Sequence, residues 1–426
     1  MRKALVLGGG GARGAYEMGI WKSLRENKKE FDLIIGTSIG ALMGTLMVQG
    51  SYEAGLKLWE NITIDQIAED GINLDLDWEL LKDQKDKILP ALSSAIKEKG
   101  MDNTPLYRLI KKMTKVNKLR KSKTELYITT MEVPSFTPLV VNLQEINEEE
   151  IADYLIASAA CFPIFPLKII GDRTYVDGGY YDNVPIQAAL DLGATEIVAV
   201  DLKAPGIIRK RRKHEPGITM IEPYWSLGAF FSFNAAQAKR NITLGYLDAQ
   251  KAFGKLLGYA YSFSGNIASL GDLDRQVEME LKRVNEKLHK GMIPNIEMKL
   301  SGSDQKLIDR YPLLPGYQSN LLRLIERLME LRSYDPEMVY DLKKTVRALT
   351  KAINDTEISD IKDWLADFIK EPSASIKEFE GWDFLVALAE AFAELDSEVI
   401  GIIYRLFPSE CLIGLLISCL KSRESR

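Results

Sequence analysis

The sequence of 426 residues predicts an α/β fold with a mainly parallel central sheet, followed by a C-terminal helical region. Residues 1–50 read in order as strand, glycine loop, helix, strand, tight turn and helix. Short apolar runs such as residues 4–7 and 197–200 are typical of strands buried on both faces, as in parallel sheets. Beyond Gly271 the apolar residues recur almost wholly at helical spacing. Strands that alternate with helices indicate a layered α/β architecture.

The elements follow from local patterns along the chain. Residues 4–7 form the first predicted strand, which ends at four glycines, and residues 12–24 carry apolar side chains at helical spacing. Residues 31–35 form the second strand, and residues 39–48 are small and apolar, as expected of a helix packed against a sheet. Thr104 and Pro105 indicate a helix start, with Thr104 as the N-cap. Further strands are predicted at 126–130, 139–141, 174–176 and 197–200, and further helices at 148–159, 185–192, 321–331, 339–349, 358–369 and 384–420.

Composition narrows the class of protein. Hydrophobic residues make up 46% and charged residues 27%, which is ordinary for a globular protein, and a net charge of −5 gives no reason to expect a nucleic-acid partner. The three cysteines (Cys161, Cys411 and Cys419) lack metal-ligand spacing, so we expect reduced thiols, no metal and a cytoplasmic location. No signal peptide and no apolar run of ~20 residues is evident, so any membrane contact should be peripheral. We expect two domains, residues 1–300 and 301–426, the second of unknown role.

Ser38 is the first candidate for chemistry. It lies in Gly36-Thr37-Ser38-Ile39-Gly40, at the end of a predicted strand and the start of a helix. A sharp strand-to-helix turn in such a pattern lifts a serine clear of the sheet as a nucleophile, and the helix N-terminus stabilises negative charge beside it. The alternative is a turn serine that caps the helix.

A glycine-rich loop precedes this serine. Gly9, Gly10 and Gly11, followed by Arg13 and Gly14, offer backbone N–H groups of the kind that form an oxyanion hole. The same spacing, G-x-G-x-x-G after a strand, is also the dinucleotide-binding fingerprint. That fingerprint requires an acidic residue at the end of the second strand, where this chain has the serine turn. An oxyanion hole is therefore the preferred interpretation, and no cofactor is expected.

A serine nucleophile needs a base, and the chain offers few. Its only histidines are His214, within a basic run, and His289, on a polar predicted helix. Asp177 follows a short predicted strand and precedes Gly178 and Gly179, which places a carboxylate on a tight turn. A triad with either histidine and an Asx turn at Asp177 remain the alternatives.

Together these elements, in this order, resemble the patatin-like phospholipase family. The resemblance rests on residues 9–14, 36–40 and 177–179, is reinforced by residues 157–160 and 183–185, and extends over about residues 1–262. It implies a sheet sandwiched by helices and a Ser38–Asp177 dyad without histidine. It also implies an oxyanion hole at Gly9, Gly10 and Gly11, with Arg13 anchoring the loop or meeting anionic lipid. The implied substrates are acyl esters of phospholipids and related lipids; a non-catalytic lipid-binding or scaffold role is the rival.

Three further features remain open. Cys161 departs from the family pattern, and its apolar neighbours favour a packed thiol over an activated one. An aromatic cluster could line an acyl pocket, although core packing is preferred (Tyr224, Trp225, Phe230, Phe231 and Phe233). Two basic segments could attract anionic membranes, although solvated surface is preferred (residues 209–213, and Lys111, Lys112, Lys115, Lys118, Arg120, Lys121 and Lys123). The sequence does not indicate the oligomeric state.

Overall fold

A computed structural model describes most of the N-terminal half and several segments of the C-terminal half. The described residues are 1–69, 100–209, 217–273, 275–277, 279, 320–356, 381–382, 385–386, 388–389 and 408–424. The chain divides into two compact units, Met1–Lys255 and Leu256–Arg426. The predicted boundary between residues 300 and 301 falls outside the described residues and stays a prediction, and His214 and His289 also lie outside them.

A mostly parallel sheet forms the centre of the first unit. Its strands are β1 (Lys3–Leu7), β2 (Leu33–Thr37), β3 (Glu125–Val133), β4 (Thr137–Asn142), β5 (Lys168–Ile170), β6 (Arg173–Asp177), β7 (Glu196–Val200) and β8 (Ile218–Ile221). They are ordered β5-β6-β3-β2-β1-β7-β8, and β4 also pairs with β3. The pairs from β3 through β2, β1 and β7 to β8 are parallel, whereas β4 and β6 run antiparallel to β3, and β5 runs antiparallel to β6.

Helices cover both faces of this sheet. They are α1 (Ala15–Glu26), α2 (Ile39–Val48), α3 (Tyr52–Trp59), α4 (Thr104–Met113), α5 (Val116–Lys121), α6 (Glu148–Ser158), α7 (Ile186–Asp191) and α8 (Ala235–Ala252). Alternate residues of β1 serve two cores: Leu5 and Leu7 pack in the larger core with α1 and α2, whereas Ala4 and Val6 pack in the smaller core with α7. This alternation is the period of a strand buried on both sides. The predicted three-layer α/β architecture is therefore confirmed.

The second unit is described in segments. Strands β9 (Ser262–Ser264) and β10 (Val339–Asp341) pair in parallel, and the helices are α9 (Asn320–Leu331), α10 (Leu342–Asn354) and α11 (Pro408–Glu424). On α9 the buried Glu326 carboxylate accepts hydrogen bonds from the backbone N–H groups of Tyr259 (2.7 Å) and Tyr261 (3.1 Å). No helix in the described parts of the chain is both long and apolar enough to cross a bilayer.

Two local predictions were wrong. Residues 339–349 were expected to be helical throughout, but Val339–Asp341 is a strand, because it pairs with β9; the helix begins only at Leu342, where the Asp341 carboxylate accepts from Lys344 N–H at 2.8 Å. Thr104 is not the N-cap of α4 but its first residue, because its N–H and hydroxyl donate to the Asp102 carboxylate outside the helix, at 2.8 and 2.6 Å.

Candidate active site

Ser38 occupies a strained turn between β2 and α2. Its backbone has φ 53° and ψ −122°, a positive-φ conformation that is costly for a residue with a side chain and persists only where its surroundings enforce it. Gly36 and Gly40 make the turn possible, because a Cβ on Gly36 would lie 2.3 Å from the Gly40 carbonyl carbon. Strain at a serine between a strand and a helix is the geometry of a nucleophile elbow. The structure thus agrees with the predicted setting of Ser38.

Asp177 ends β6 and lies buried, with 5% of its surface exposed. Its Oδ1 accepts a hydrogen bond of 2.7 Å from the N–H of Gly179, in the 3₁₀ turn Gly178–Tyr180 that follows. Burial raises the pKa of this carboxyl from 3.8 to about 6, while hydrogen bonds from the Ser38 side chain and from Gly179 oppose the rise. Asp177 therefore combines a direct contact to the serine with a pKa in the range useful to a base.

Strand register explains why the two residues meet. Strand β2 runs parallel to β3 and its last residue, Thr37, pairs with Thr129. Strand β6 runs antiparallel to β3 and its last residue, Asp177, pairs with Thr130. Because β4 occupies the other edge of β3 along both stretches, β2 and β6 share one edge and their carboxyl ends meet. Ser38 and Asp177 are adjacent because two opposed strands end at neighbouring residues of a third.

Polar side chains that the sequence did not single out for a role fix this junction. The Thr37 and Thr129 hydroxyls lie 2.7 Å apart, and the buried Ser158 hydroxyl donates to the Thr129 carbonyl at 2.7 Å while accepting from Ser38 N–H at 2.9 Å. Asp177 N–H donates to the Ala160 carbonyl at 3.0 Å. The available signal was the run of small residues at 157–160, which the resemblance included without assigning it a role.

The glycine loop lies against Ser38. A Cβ on Gly9 would be 3.3 Å from the Ser38 Cβ and 2.3 Å from Asn183 Oδ1, so only glycine fits there. Gly9 N–H donates to the Asn183 carbonyl at 3.0 Å, and Asn183 Nδ2 donates to the Gly9 carbonyl at 3.1 Å. Within the described residues, the N–H groups of Gly10 and Gly11 have no acceptor. Of the three predicted donors, two are thus free to bind an oxyanion and Gly9 is engaged.

Arg13 and Gly14 tie this loop to the rest of the site. The Arg13 guanidinium donates to the backbone carbonyls of Gly228 at 2.8 Å and Leu202 at 3.3 Å, and also to that of Lys203. A Cβ on Gly14 would be 2.3 Å from Cγ1 of Ile39, so the loop packs directly on the first residue of α2. Of the two roles offered for Arg13, the geometry favours anchoring the loop.

Cys161 lies close to the aspartate without being activated by it. Burial and the nearby Asp177 charge raise the pKa of this thiol to about 12, and a hydrogen bond with Tyr180 only partly opposes the rise. Because the thiolate is the reactive form, a raised pKa lowers the reactivity of Cys161 at neutral pH. The raised pKa supports the prediction of an unactivated cysteine.

An apolar cavity extends to Ile39 at the start of α2. Of its sixteen lining residues only Thr45 and Thr114 are polar, and the others come largely from α2, α3 and α4. Its members include Ile39, which directly follows Ser38, as well as Leu106 and Ile110 of α4. From the predicted aromatic cluster, Phe231 and Phe233 both pack in the core, and Phe233 also lines the cavity. The described residues contain no group of three or more side chains suited to a metal ion.

The fold and this centre define an α/β domain in which a strained serine contacts a buried aspartate at the sheet. Residues 5–190 match the model of the patatin-like phospholipase family. The chain therefore carries a patatin-like phospholipase domain. Its relatives include the lysophospholipase NTE1 of Mycosarcoma maydis, 27% identical over 47% of this chain and 10% of that protein. Another is the patatin-like phospholipase domain-containing protein 7 of Rattus norvegicus, 27% identical over 47% of this chain and 13% of that protein.

Among solved structures, VipD from Legionella pneumophila is similar with a TM-score of 0.40 and 14% identity, over 98% of this chain and 91% of that chain. The curated relatives are much longer proteins, of which this chain matches about a tenth of the length.

Proposed function

We propose that the protein is a lipid acyl hydrolase that cleaves carboxylic esters with a Ser38–Asp177 dyad. The observation that carries the proposal is the contact of the two side chains where β2 and β6 meet on β3. The patatin-like phospholipase domain supports the reaction class, and the apolar cavity that starts at Ile39 supports an acyl chain as the bound group.

The reaction follows from the positions of the groups. Ser38 Oγ attacks the ester carbonyl carbon while its proton passes to the Asp177 carboxylate. The carbonyl oxygen becomes an oxyanion, which the Gly10 and Gly11 N–H groups stabilise, each donor of this kind contributing ~3 kcal/mol. The C–O bond then breaks, and the leaving alcohol takes the proton from Asp177. Water, deprotonated by Asp177, hydrolyses the acyl-serine and restores the free hydroxyl.

The exposed rim of the site also suits a lipid substrate. Ile207 and Ile208 are about half exposed, at 54% and 49%, and Tyr180 is 41% exposed. Ile207 N–H donates to the Gly179 carbonyl at 2.9 Å, and its own carbonyl accepts from Asn183 N–H at 2.7 Å. The turn that carries Asp177 is thus bonded to a segment with exposed apolar side chains.

Labelling with a fluorophosphonate probe, followed by hydrolysis of a panel of phospholipids and lysophospholipids, tests the proposal. We expect Ser38→Ala to abolish both labelling and hydrolysis. Ser135→Ala, at an exposed serine in the turn between β3 and β4, is the matched control and should behave as the parent. Hydrolysis that survives in the Ser38→Ala variant would refute the mechanism, and a parent protein that neither labels nor hydrolyses would favour the non-catalytic alternative.

A further inference from the structure

The segment that follows the undescribed residues 70–99 carries charge of a single sign. Residues 103–124 include eight basic and no acidic residues, in a chain whose charged residues are 60 acidic and 55 basic. All eight basic side chains are exposed; they are Arg108, Lys111, Lys112, Lys115, Lys118, Arg120, Lys121 and Lys123. In the described part of the chain none of them forms an ion pair with a carboxylate. Within the chain, Arg120 donates to the backbone carbonyls of Gln144 and Ile146, and the Lys111 ammonium lies 4.6 Å from the centre of the Tyr107 ring. The surface therefore keeps a net positive charge that no direct ion pair among the described residues neutralises.

Helix α4 separates charge and apolar side chains onto opposite faces. Leu106, Leu109, Ile110 and Met113 recur at helical spacing and all four line the cavity that extends to Ile39. At about 100° per residue, the three basic residues of α4, Arg108, Lys111 and Lys112, centre on the opposite side of the helix axis, and Lys115 follows the end of the helix. One helix thus has an outer cationic face and an inner face that forms a wall of the acyl cavity.

A helix that only faces solvent does not need an outer face with charge of a single sign. Soluble surface helices usually mix both signs of charge, which gives i,i+4 pairs within the helix. Here α4 and α5 contain no acidic residue to pair with. A surface of one sign attracts a partner of the other sign, and phospholipid headgroups of an anionic bilayer present such a partner as an extended plane. The adjoining apolar cavity favours a lipid surface over other polyanions.

We propose that the outer face of α4 and α5 docks the protein on the anionic surface of a phospholipid membrane. The proposal deepens the proposed function, on which it rests for the choice of lipid: the substrate would be a phospholipid presented in a bilayer, not a freely soluble ester. Helix α4 would then contact the headgroups with one face and hold the wall of the acyl cavity with the other.

Vesicle co-sedimentation tests docking without any need for catalysis. The full chain carrying Ser38→Ala is mixed with vesicles of phosphatidylcholine alone or of phosphatidylcholine with phosphatidylserine. We expect binding to the anionic vesicles only, and a decline with added salt because the contacts are screened. Replacing the three basic residues of α4 and Lys115, which follows the helix, by glutamine (R108Q, K111Q, K112Q and K115Q) should weaken binding about 100-fold or more, at about fivefold per residue.

A variant with the same loss of charge elsewhere is the control. The residues replaced are Lys22, Lys28, Lys29 and Lys57, which are exposed and lie within four residues of a glutamate in the sequence. Their replacement by glutamine should leave vesicle binding unchanged. Both quadruple variants, with Ser38 restored, should hydrolyse a water-soluble short-chain ester as the parent does, which shows that they fold.

Specific results would overturn the docking proposal. One is equal vesicle binding by the two quadruple variants, and another is equal binding of the protein to neutral and anionic vesicles. A third is an α4 variant that no longer binds a short RNA but still binds anionic vesicles as the parent does. Failure of docking with intact ester hydrolysis refutes this inference alone. Loss of hydrolysis by the parent with intact vesicle binding refutes the proposed function alone.

Discussion

Replacing Asp177 by asparagine should lower the activity by at least about 100-fold while making the folded protein more stable at neutral pH. Burial raises the pKa of the Asp177 carboxyl from 3.8 to about 6, so the folded state binds this proton more tightly than the unfolded chain. Between about pH 4 and pH 6 the folded state therefore holds more protons, and stability falls as the pH rises through that interval. Above it the carboxylate is charged in both states, and the full cost of burying the charge remains.

The size of this cost follows from the shift. A change of about 2 pKa units corresponds to about 3 kcal/mol at 1.36 kcal/mol per unit. Asparagine keeps the shape and the acceptor for Gly179 N–H but carries no charge. We expect Asp177→Asn to raise the free energy of unfolding by up to about 3 kcal/mol above pH 6, with the gain vanishing near pH 4.

Urea unfolding of the parent and the variant across this pH range measures the difference, and ester hydrolysis measures the loss of the base. Loss of a general base should lower kcat by about 100- to 10,000-fold. The parent rate itself should fall as the pH drops through about 6, because the protonated carboxyl cannot accept the Ser38 proton. Asp172→Asn, at an exposed position in the turn between β5 and β6, is the control and should change neither quantity. A stability gain that does not depend on pH, or a variant that retains full activity, would refute the reasoning.

Three further predictions test the site from other sides. His214→Ala and His289→Ala should both retain hydrolysis. A loss of kcat of at least about 100-fold in either variant would show that this histidine is the base, and would favour a triad over the dyad. Leu109→Trp, at a half-buried position in the cavity wall, should narrow the cavity and so lower kcat/KM for esters with long acyl chains more than for those with short ones. An equal loss for both would show that the cavity does not bind the acyl chain. Cys161, with a thiol pKa of about 12, should react with iodoacetamide far more slowly in the folded than in the urea-unfolded protein; equal rates would contradict the raised pKa of its thiol.

Much of the architecture was predictable because the signals are local. The strands β1 and β7 are continuous apolar runs, and α2 is a small apolar segment between glycines, so periodicity and length identify them. Strand β5 is three residues long, with exposed Ile169, and strand β8 follows residues 210–216; neither has a clear alternation, and both were missed. Strand β10 shares the helical spacing of the residues that follow it, so the local pattern predicts a helix there. Its pairing with β9, which is distant in the sequence, leaves no local signal.

The candidate site also has parts that the sequence predicts and parts that only the tertiary structure reveals. The turn at Ser38 and the glycine loop are contiguous in sequence, so their settings could be predicted from residue type and position. Which loop amides are engaged could not, because Gly9 N–H is taken by the carbonyl of Asn183, a residue remote in sequence. The bridging role of Ser158 depends likewise on a helix end brought against β3 by tertiary packing.

In our proposal, the direction of β6 explains how Asp177 can act on Ser38 without a histidine. In a serine triad the acid acts on the serine through an intervening imidazole. Here β6 runs against β2 along the same edge of β3, so its last residue arrives at the end of β2 instead of beside it. The carboxylate then contacts the serine within the sheet, where it is buried and its pKa rises towards neutrality. In our proposal the antiparallel strand thus supplies both the position of the base and the burial that tunes it.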